Sequence, residues 1–121
     1  MKLVLLLFAI FLYAEDFITN AEYGKMLYEN PRGIGCIKCH GVKGKGRVIA
    51  TYVEDDTGKK RRVVAPNISK VSWAVFYNRL KVSKILKNGY FRTLNYSFMP
   101  KYNYLMDDEI QSIYNYIKVK K

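Results

Sequence analysis

The stretch Cys36-Ile37-Lys38-Cys39-His40 decides what this chain folds around. Two cysteines three positions apart, with a histidine directly after the second, form the pattern of covalent c-type haem attachment. Both thiols lie on one turn, where they can add to the two vinyl groups along one porphyrin edge, and the next imidazole can then bind the iron. His40 is the only histidine among the 121 residues, so every role that needs an imidazole falls on it.

Three other readings of the cysteine pair are weaker. A thioredoxin-like dithiol opens a helix after a strand in an alternating strand and helix pattern, and no such pattern surrounds Cys36. A zinc site needs about four nitrogen or sulfur ligands, whereas Cys36, Cys39 and His40 supply only three. A disulfide between residues so close in sequence would close a small, strained ring. We therefore predict one covalently attached haem c.

Residues 1–14 predict export. Lys2 precedes a short apolar run from Leu3 to Leu12, and Ala14 offers a small residue for cleavage. The run is shorter than the about 20 residues of an ordinary membrane span. A cleaved signal peptide and an uncleaved anchor both stay open, and either one places residues 15–121 in the periplasm as one small domain.

Apolar spacing predicts a mainly α-helical domain at both ends of the chain. The first helix is expected over residues 16–30, with an apolar face that includes Phe17, Leu27 and Tyr28. Gly24 lies inside it and suggests that another backbone comes close. The last helix is expected to begin near Asp107, where three acidic residues favour the helix dipole.

The middle of the chain is less regular. Residues 47–64 predict a short β-hairpin around the turn Asp55-Asp56-Thr57-Gly58, with an irregular loop as the alternative. A helix capped by Ser72 and a short helix over residues 83–88 are expected next, followed by an extended loop over 90–104. The glycine-rich residues 41–46 could be mistaken for a phosphate-binding loop, but they follow no predicted strand.

A haem motif near the start and a helix at each end resemble the class I monohaem cytochrome c family. Gly24-Lys25-Met26-Leu27-Tyr28 is similar to the family's first helix, where a glycine and an aromatic residue pack across the last helix. Ile113 and Tyr116 match the positions on that last helix. Met106 stands where the family has a capping Ser or Thr, so Asp107 is expected to cap instead. The resemblance implies a small helical domain around one covalent haem.

The resemblance also implies a set of haem contacts. Ala65-Pro66-Asn67-Ile68 is similar to the segment whose proline carbonyl accepts a hydrogen bond from the proximal imidazole, so Pro66 would orient His40. Phe98-Met99-Pro100 resembles the loop that presents the distal iron ligand, which would be Met99. The alternative for Met99 is a side chain that fills a gap in the core.

An iron with both axial positions filled has no place for oxygen or peroxide. The implied function is therefore single-electron transfer between respiratory partners and not enzymatic catalysis. Two alternatives stay open: a haem subunit of a membrane-bound oxidoreductase, and a haem-based sensor or enzyme with an open sixth site.

The net charge of +11 predicts anionic partners. Acidic docking surfaces on redox proteins, such as a quinol-oxidising complex, a terminal oxidase or a peroxidase, would steer a monomer of this charge. An anionic membrane surface would attract it too. Nucleic acid is not expected outside the cytoplasm. The docking candidates are Lys38, Lys43 and Lys45 around the haem motif and the run Lys59-Lys60-Arg61-Arg62.

Overall fold

The computed structural model of the protein describes residues 18–93 and 97–119. Within these residues, four α-helices and two β-hairpins follow one another. The helices are α1 (Asn20–Glu29), α2 (Ile37–His40), α3 (Trp73–Lys81) and α4 (Asp107–Lys118), and the strands are β1 (Arg47–Val53), β2 (Lys60–Ala65), β3 (Lys84–Lys87) and β4 (Tyr90–Thr93). The expected export segment and Phe17 lie outside the described residues.

Helix α1 begins four residues later than expected because Thr19 caps it. The Thr19 hydroxyl accepts the Glu22 backbone N–H at 3.2 Å, and the Glu22 carboxylate accepts the Thr19 N–H at 2.8 Å. This reciprocal pair satisfies two backbone donors that the first turn leaves without a helical partner. Thr19 itself has extended backbone angles, so the expected helix start at residue 16 is wrong.

Helices α1 and α4 cross at Gly24. A Cβ atom on this residue would overlap the carbonyl oxygen of Ser112 and lie 2.9 Å from the backbone nitrogen of Ile113. One turn further on, the rings of Tyr28 and Tyr116 pack with their centroids 5.5 Å apart. The close approach expected at Gly24, and its expected partners on the last helix, are confirmed.

The core lies between α1, α3 and α4. Its buried members share an apolar or aromatic side chain; they are Tyr28, Phe76, Leu80, Leu105, Ile110, Ile113, Tyr116 and Ile117. Helix α3 begins where expected, since the Ser72 hydroxyl accepts the Val75 N–H at 3.4 Å. Its Phe76 ring lies 5.3 Å from the ring of Tyr114 on α4, which joins the two helices.

The predicted hairpin over residues 47–64 is confirmed as the antiparallel pair β1–β2, which we call the long ribbon. Its register runs from Arg47 opposite Ala65 to Val53 opposite Lys60, with a bulge between Val48 and Ala50. Ala65 at its base is buried, whereas most of the remaining ribbon is exposed. The ribbon therefore projects from the domain and is anchored at one end.

The short helix expected over residues 83–88 is wrong. Ser83 has a positive φ of 53°, which ends the helical path after α3. Strands β3 and β4 then form a second hairpin, the short ribbon, around Asn88-Gly89, whose φ values of 52° and 79° suit a two-residue hairpin turn. Residues 90–93, expected in an extended loop, form the second strand of this hairpin.

Helix α4 begins at Asp107 as expected, but Asp107 does not cap it. Met106 holds the cap position, and its N–H donates to the Glu109 carboxylate at 2.9 Å. The Asp107 carboxylate instead accepts the Tyr77 hydroxyl at 3.1 Å and lies 3.4 Å from the ammonium of Lys81. Among the described residues, no helix has the length and apolarity to cross a bilayer.

Candidate haem-binding site

Helix α2 carries the cysteine–histidine motif on a single turn. Its backbone bonds run from the N–H groups of Cys39 and His40 to the carbonyl of Cys36, at 3.2 Å and 2.8 Å. Residues three apart on a helical turn face the same side, so both thiols lie on one side of the turn. The two cysteines are free, and burial raises the pKa of the Cys36 thiol to about 11. Both sulfurs are thus available for thioether bonds.

The imidazole of His40 is buried and oriented. Its side chain is only 7% exposed, and Nδ1 lies 3.0 Å from the carbonyl oxygen of Pro66. A carbonyl can only accept, so Nδ1 carries the proton and Nε2 keeps its lone pair. That tautomer is the one an iron ligand needs. This is the Pro66 contact that the family resemblance implies.

The glycine loop after His40 ties the histidine to the proline. The Gly46 N–H donates to the carbonyl of His40 at 2.7 Å, and the Ile68 N–H donates to the carbonyl of Gly44 at 2.7 Å. A Cβ on Gly46 would lie 2.7 Å from the carbonyl oxygen of Ala65, so only glycine fits there. The N–H groups of Gly41, Gly44 and Lys45 also donate to nearby carbonyls, so most of the loop's donors are already used and are not open to a phosphate.

Tyr28 supports the same turn from α1. Its hydroxyl donates to the carbonyl of Gly41 at 2.5 Å, and burial raises its pKa above its usual range. The residue that packs α1 against α4 therefore also holds the backbone directly after His40. The helix crossing and the haem motif are connected through this one side chain.

Met99 is the methionine that packs against the core. It is half-buried, whereas Met26 on α1 and Met106 at the start of α4 are exposed. Its N–H donates to the Ser97 hydroxyl at 3.1 Å, and that oxygen also accepts a guanidinium N–H of Arg79 at 2.5 Å. Arg79, on α3, thus anchors the loop that carries Met99. No sequence signal links residues 79 and 97, and we did not predict this contact.

The loop after Met99 runs beside the cysteine motif. Burial raises the pKa of the Tyr102 hydroxyl, and the thiols of Cys36 and Cys39 are close enough to raise it further. Half-buried apolar and aromatic side chains pack against the same core as Cys36 and Met99, among them Ile34, Ile37, Ile68, Val71, Trp73 and Tyr77. The chain thus supplies paired thiols, an imidazole with a free Nε2, a half-buried thioether and apolar neighbours, which are donors and surroundings that suit haem c.

Two of the three lysines expected to dock partners are engaged within the protein. The ammonium of Lys38 donates to the carbonyl of Pro31 at 2.7 Å. That of Lys43 donates to the carbonyls of Tyr116 at 2.8 Å and Val119 at 3.1 Å and lies 4.2 Å from the Tyr116 ring centroid. Lys43 therefore closes the C-terminal end of α4, while Lys45 is exposed.

Comparison with known proteins shows the family of this chain. The Cytochrome c family model matches residues 21–120, which is most of the chain. The chain belongs to the Cytochrome c family, whose members carry covalently bound haem c and transfer electrons, so the resemblance drawn from the sequence is confirmed. Neither the curated proteins nor the solved structures compared with the chain gave a match.

Proposed function

We propose that this protein is an exported monohaem c-type cytochrome that carries single electrons between respiratory partners. Cys36 and Cys39 hold the haem, His40 is the proximal ligand and Met99 the distal one. The 3.0 Å contact between His40 Nδ1 and the Pro66 carbonyl carries the proposal. It fixes the tautomer that an iron ligand needs, and it orients the ring.

Bound haem supplies an iron that gains and loses one electron. The protein's own task is to keep the surroundings of that iron unchanged between the two states. The Nδ1–H of His40 donates to the Pro66 carbonyl, which orients the ring and leaves Nε2 to bind the iron. The apolar residues around the motif exclude water, and a thioether from Met99 favours ferrous iron. With His40 and Met99 as its two protein ligands, the haem iron would have no open position for a substrate, so the chemistry that the haem supplies would be outer-sphere electron transfer.

Export to the periplasm rests on the apolar run of residues 3–12 behind Lys2. Redox partners with acidic docking surfaces, such as a quinol-oxidising complex and a terminal oxidase or peroxidase, suit the net charge of +11. Lys45 and the basic run Lys59-Lys60-Arg61-Arg62 are exposed and serve as docking groups for this monomer.

The test is the weak long-wavelength absorption band that a thioether gives when it is bound to ferric iron. We expect the band in the wild type and its loss in Met99→Ala. Met106→Ala is the matched control, since Met106 is exposed and should leave the band unchanged. Intact mass of the exported protein reports, in the same sample, whether one haem is attached and whether residues 1–14 are gone. A band that persists in Met99→Ala would exclude Met99 as the ligand.

A second candidate is a haem subunit held in a membrane-bound oxidoreductase. The observation in its favour is the outer surface of the long ribbon, where Val48, Val53 and Val64 are exposed. These three valines lie on one face of the hairpin by its register. Fractionation separates the candidates: a carrier is recovered alone after salt extraction, whereas a subunit co-purifies with its complex in detergent.

A further inference from the structure

The excess positive charge of this protein comes from one segment. Residues 57–106 contain eleven Lys and Arg residues and no Asp or Glu. The rest of the chain has ten basic and ten acidic residues, so its charge is balanced. The basic segment includes β2, α3, the short ribbon and the Met99 loop. The net charge is therefore concentrated in one segment of the chain, which is the part expected to attract anionic surfaces.

The short ribbon projects from the packed part of the domain into solvent. A Cβ atom on Gly89 at its turn would meet nothing within 4 Å. In the described residues, β3 contacts α3 and β4 pairs with β3. The ribbon therefore stands on α3 with its turn in solvent. A two-stranded hairpin of this length is marginal in water without further support.

Large apolar side chains lie at the tip of the short ribbon. Tyr90 is 73% exposed, Leu86 48% and Phe91 38%. Leu86 is paired with Phe91 and Lys87 with Tyr90, so both faces of the tip combine apolar or aromatic groups with the adjoining cations. Those cations are Lys84, Lys87 and Arg92. Aromatic and aliphatic groups beside Lys and Arg, without acidic residues, are typical of segments that lie at a lipid–water interface.

We propose that the tip of the short ribbon docks this protein on the anionic surface of a lipid bilayer. Leu86, Tyr90 and Phe91 enter the headgroup region, while Lys84, Lys87 and Arg92 bind the lipid phosphates. This names the surface responsible for membrane association, and it holds whether or not Met99 binds the iron.

A bilayer suits the tip better than an acidic protein surface does. The apolar groups stand on a narrow convex turn, which can enter a soft headgroup layer but offers little area to a second folded surface. The long ribbon provides the contrast within the same molecule. Its turn carries Glu54, Asp55 and Asp56, whose charges would be repelled by anionic lipid. Of the two hairpins, only the short one has a tip suited to a bilayer.

The experiment is sedimentation of the holoprotein with lipid vesicles. One vesicle preparation is phosphatidylcholine alone, and the other is equal parts phosphatidylcholine and phosphatidylglycerol. We expect binding to the mixed vesicles only. The double variant Tyr90→Ser/Phe91→Ser should lower the partition coefficient by about tenfold or more, because it removes two apolar groups that enter the headgroup region on docking. Tyr52→Ser/Val53→Ser on the long ribbon, at residues about equally exposed, should have little effect.

Two triple variants that each remove three positive charges complete the test. Lys84→Gln/Lys87→Gln/Arg92→Gln should weaken binding by more than Lys59→Gln/Lys60→Gln/Arg62→Gln, although both remove three charges. Equal losses in the two triple variants, or no loss in Tyr90→Ser/Phe91→Ser, would mean general electrostatic adsorption and would overturn the proposal. Absence of binding by the wild type would overturn it as well. The absorption spectrum of each variant reports the haem site separately, so failure here leaves the electron-transfer proposal unaffected.

Discussion

Gly24 and Ser112 set the distance between α1 and α4, because an added Cβ on Gly24 would overlap the Ser112 carbonyl oxygen. The polar contacts around this crossing depend on the same approach. The Asn20 side-chain amide donates to the Ser112 hydroxyl at 2.8 Å, and the Tyr116 hydroxyl donates to the Glu29 carboxylate at 2.8 Å. Through Tyr28, the crossing also holds the turn that carries His40.

Gly24→Ala should therefore destabilise the whole domain. The new methyl group must push the helices apart, and overpacking of this kind costs about 3 kcal/mol. Denaturant unfolding of the holoprotein, followed by haem absorbance, measures the change. Lys25→Ala is the control at the next, exposed position, where we expect less than about 0.5 kcal/mol. Equal stability of the two variants would contradict the close crossing.

Variants of Lys43 and Lys45 should distinguish a lysine that stabilises the fold from a lysine that docks partners. Lys43→Gln loses two hydrogen bonds at the end of α4 and its contact with the Tyr116 ring, so we expect a loss of about 2 kcal/mol in unfolding free energy. Lys45→Gln should leave stability unchanged. It should instead weaken the ionic-strength dependence of electron transfer with a redox partner, measured by stopped-flow mixing. The opposite pattern would place the docking group at Lys43.

Ser97→Ala should loosen the distal ligand without removing it. The variant leaves the Met99 N–H and the Arg79 guanidinium without their shared acceptor, a loss of about 1.5 kcal/mol. Added imidazole should then displace the thioether at about a tenfold lower concentration. Titration monitored by the long-wavelength ferric band measures this.

Ser97→Thr, which keeps the hydroxyl, is the matched variant and should restore the wild-type imidazole titration. Thr51→Ala on the long ribbon removes a hydroxyl far along the chain from the Met99 loop and should change nothing. If Ser97→Ala and the wild type titrate alike, the anchor has no role in holding Met99.

Buried tyrosines should make the fold sensitive to alkali. Burial raises the pKa of Tyr116 to about 12, with the Glu29 carboxylate adding to the shift. A tyrosine whose pKa is higher in the folded state stabilises the fold below the unfolded value of about 10, and that stability is lost as pH rises through the folded value. Unfolding free energy should thus fall between about pH 10 and pH 12. Tyr116→Phe should show a smaller fall over this range, and an identical slope would contradict the assignment.

Sequence reasoning worked best where the chemistry is local or the family pattern is complete. The turn of Cys36 and His40, the close approach at Gly24 and the hairpin over 47–64 each depend on residues near one another in sequence or on a matched motif. The Pro66 contact came from the family resemblance and could not have been found from spacing alone.

The misses have two physical causes. Residues 83–88, which include the first strand of the short ribbon, fit a short helix ended by Gly89, although Asn88-Gly89 with flanking apolar residues is a strong hairpin signal. Thr19 and Glu22 likewise form a recognisable capping box that a longer apolar face obscured. The Lys43 and Arg79 contacts are different, since they join residues far apart in the chain and leave no local pattern.

The long ribbon lies between His40 and Pro66 in the chain. Its two ends are paired with each other, Arg47 opposite Ala65. The pairing of these two end residues therefore sets the distance between His40 and the Pro66 carbonyl, and the number of residues in the ribbon does not. Its turn at Gly58, where an added Cβ would meet nothing within 4 Å, is a graft point. A reporter domain or an electrode tether inserted there would be joined covalently to the segment that carries the haem motif. The insertion would leave the geometry of the motif unchanged.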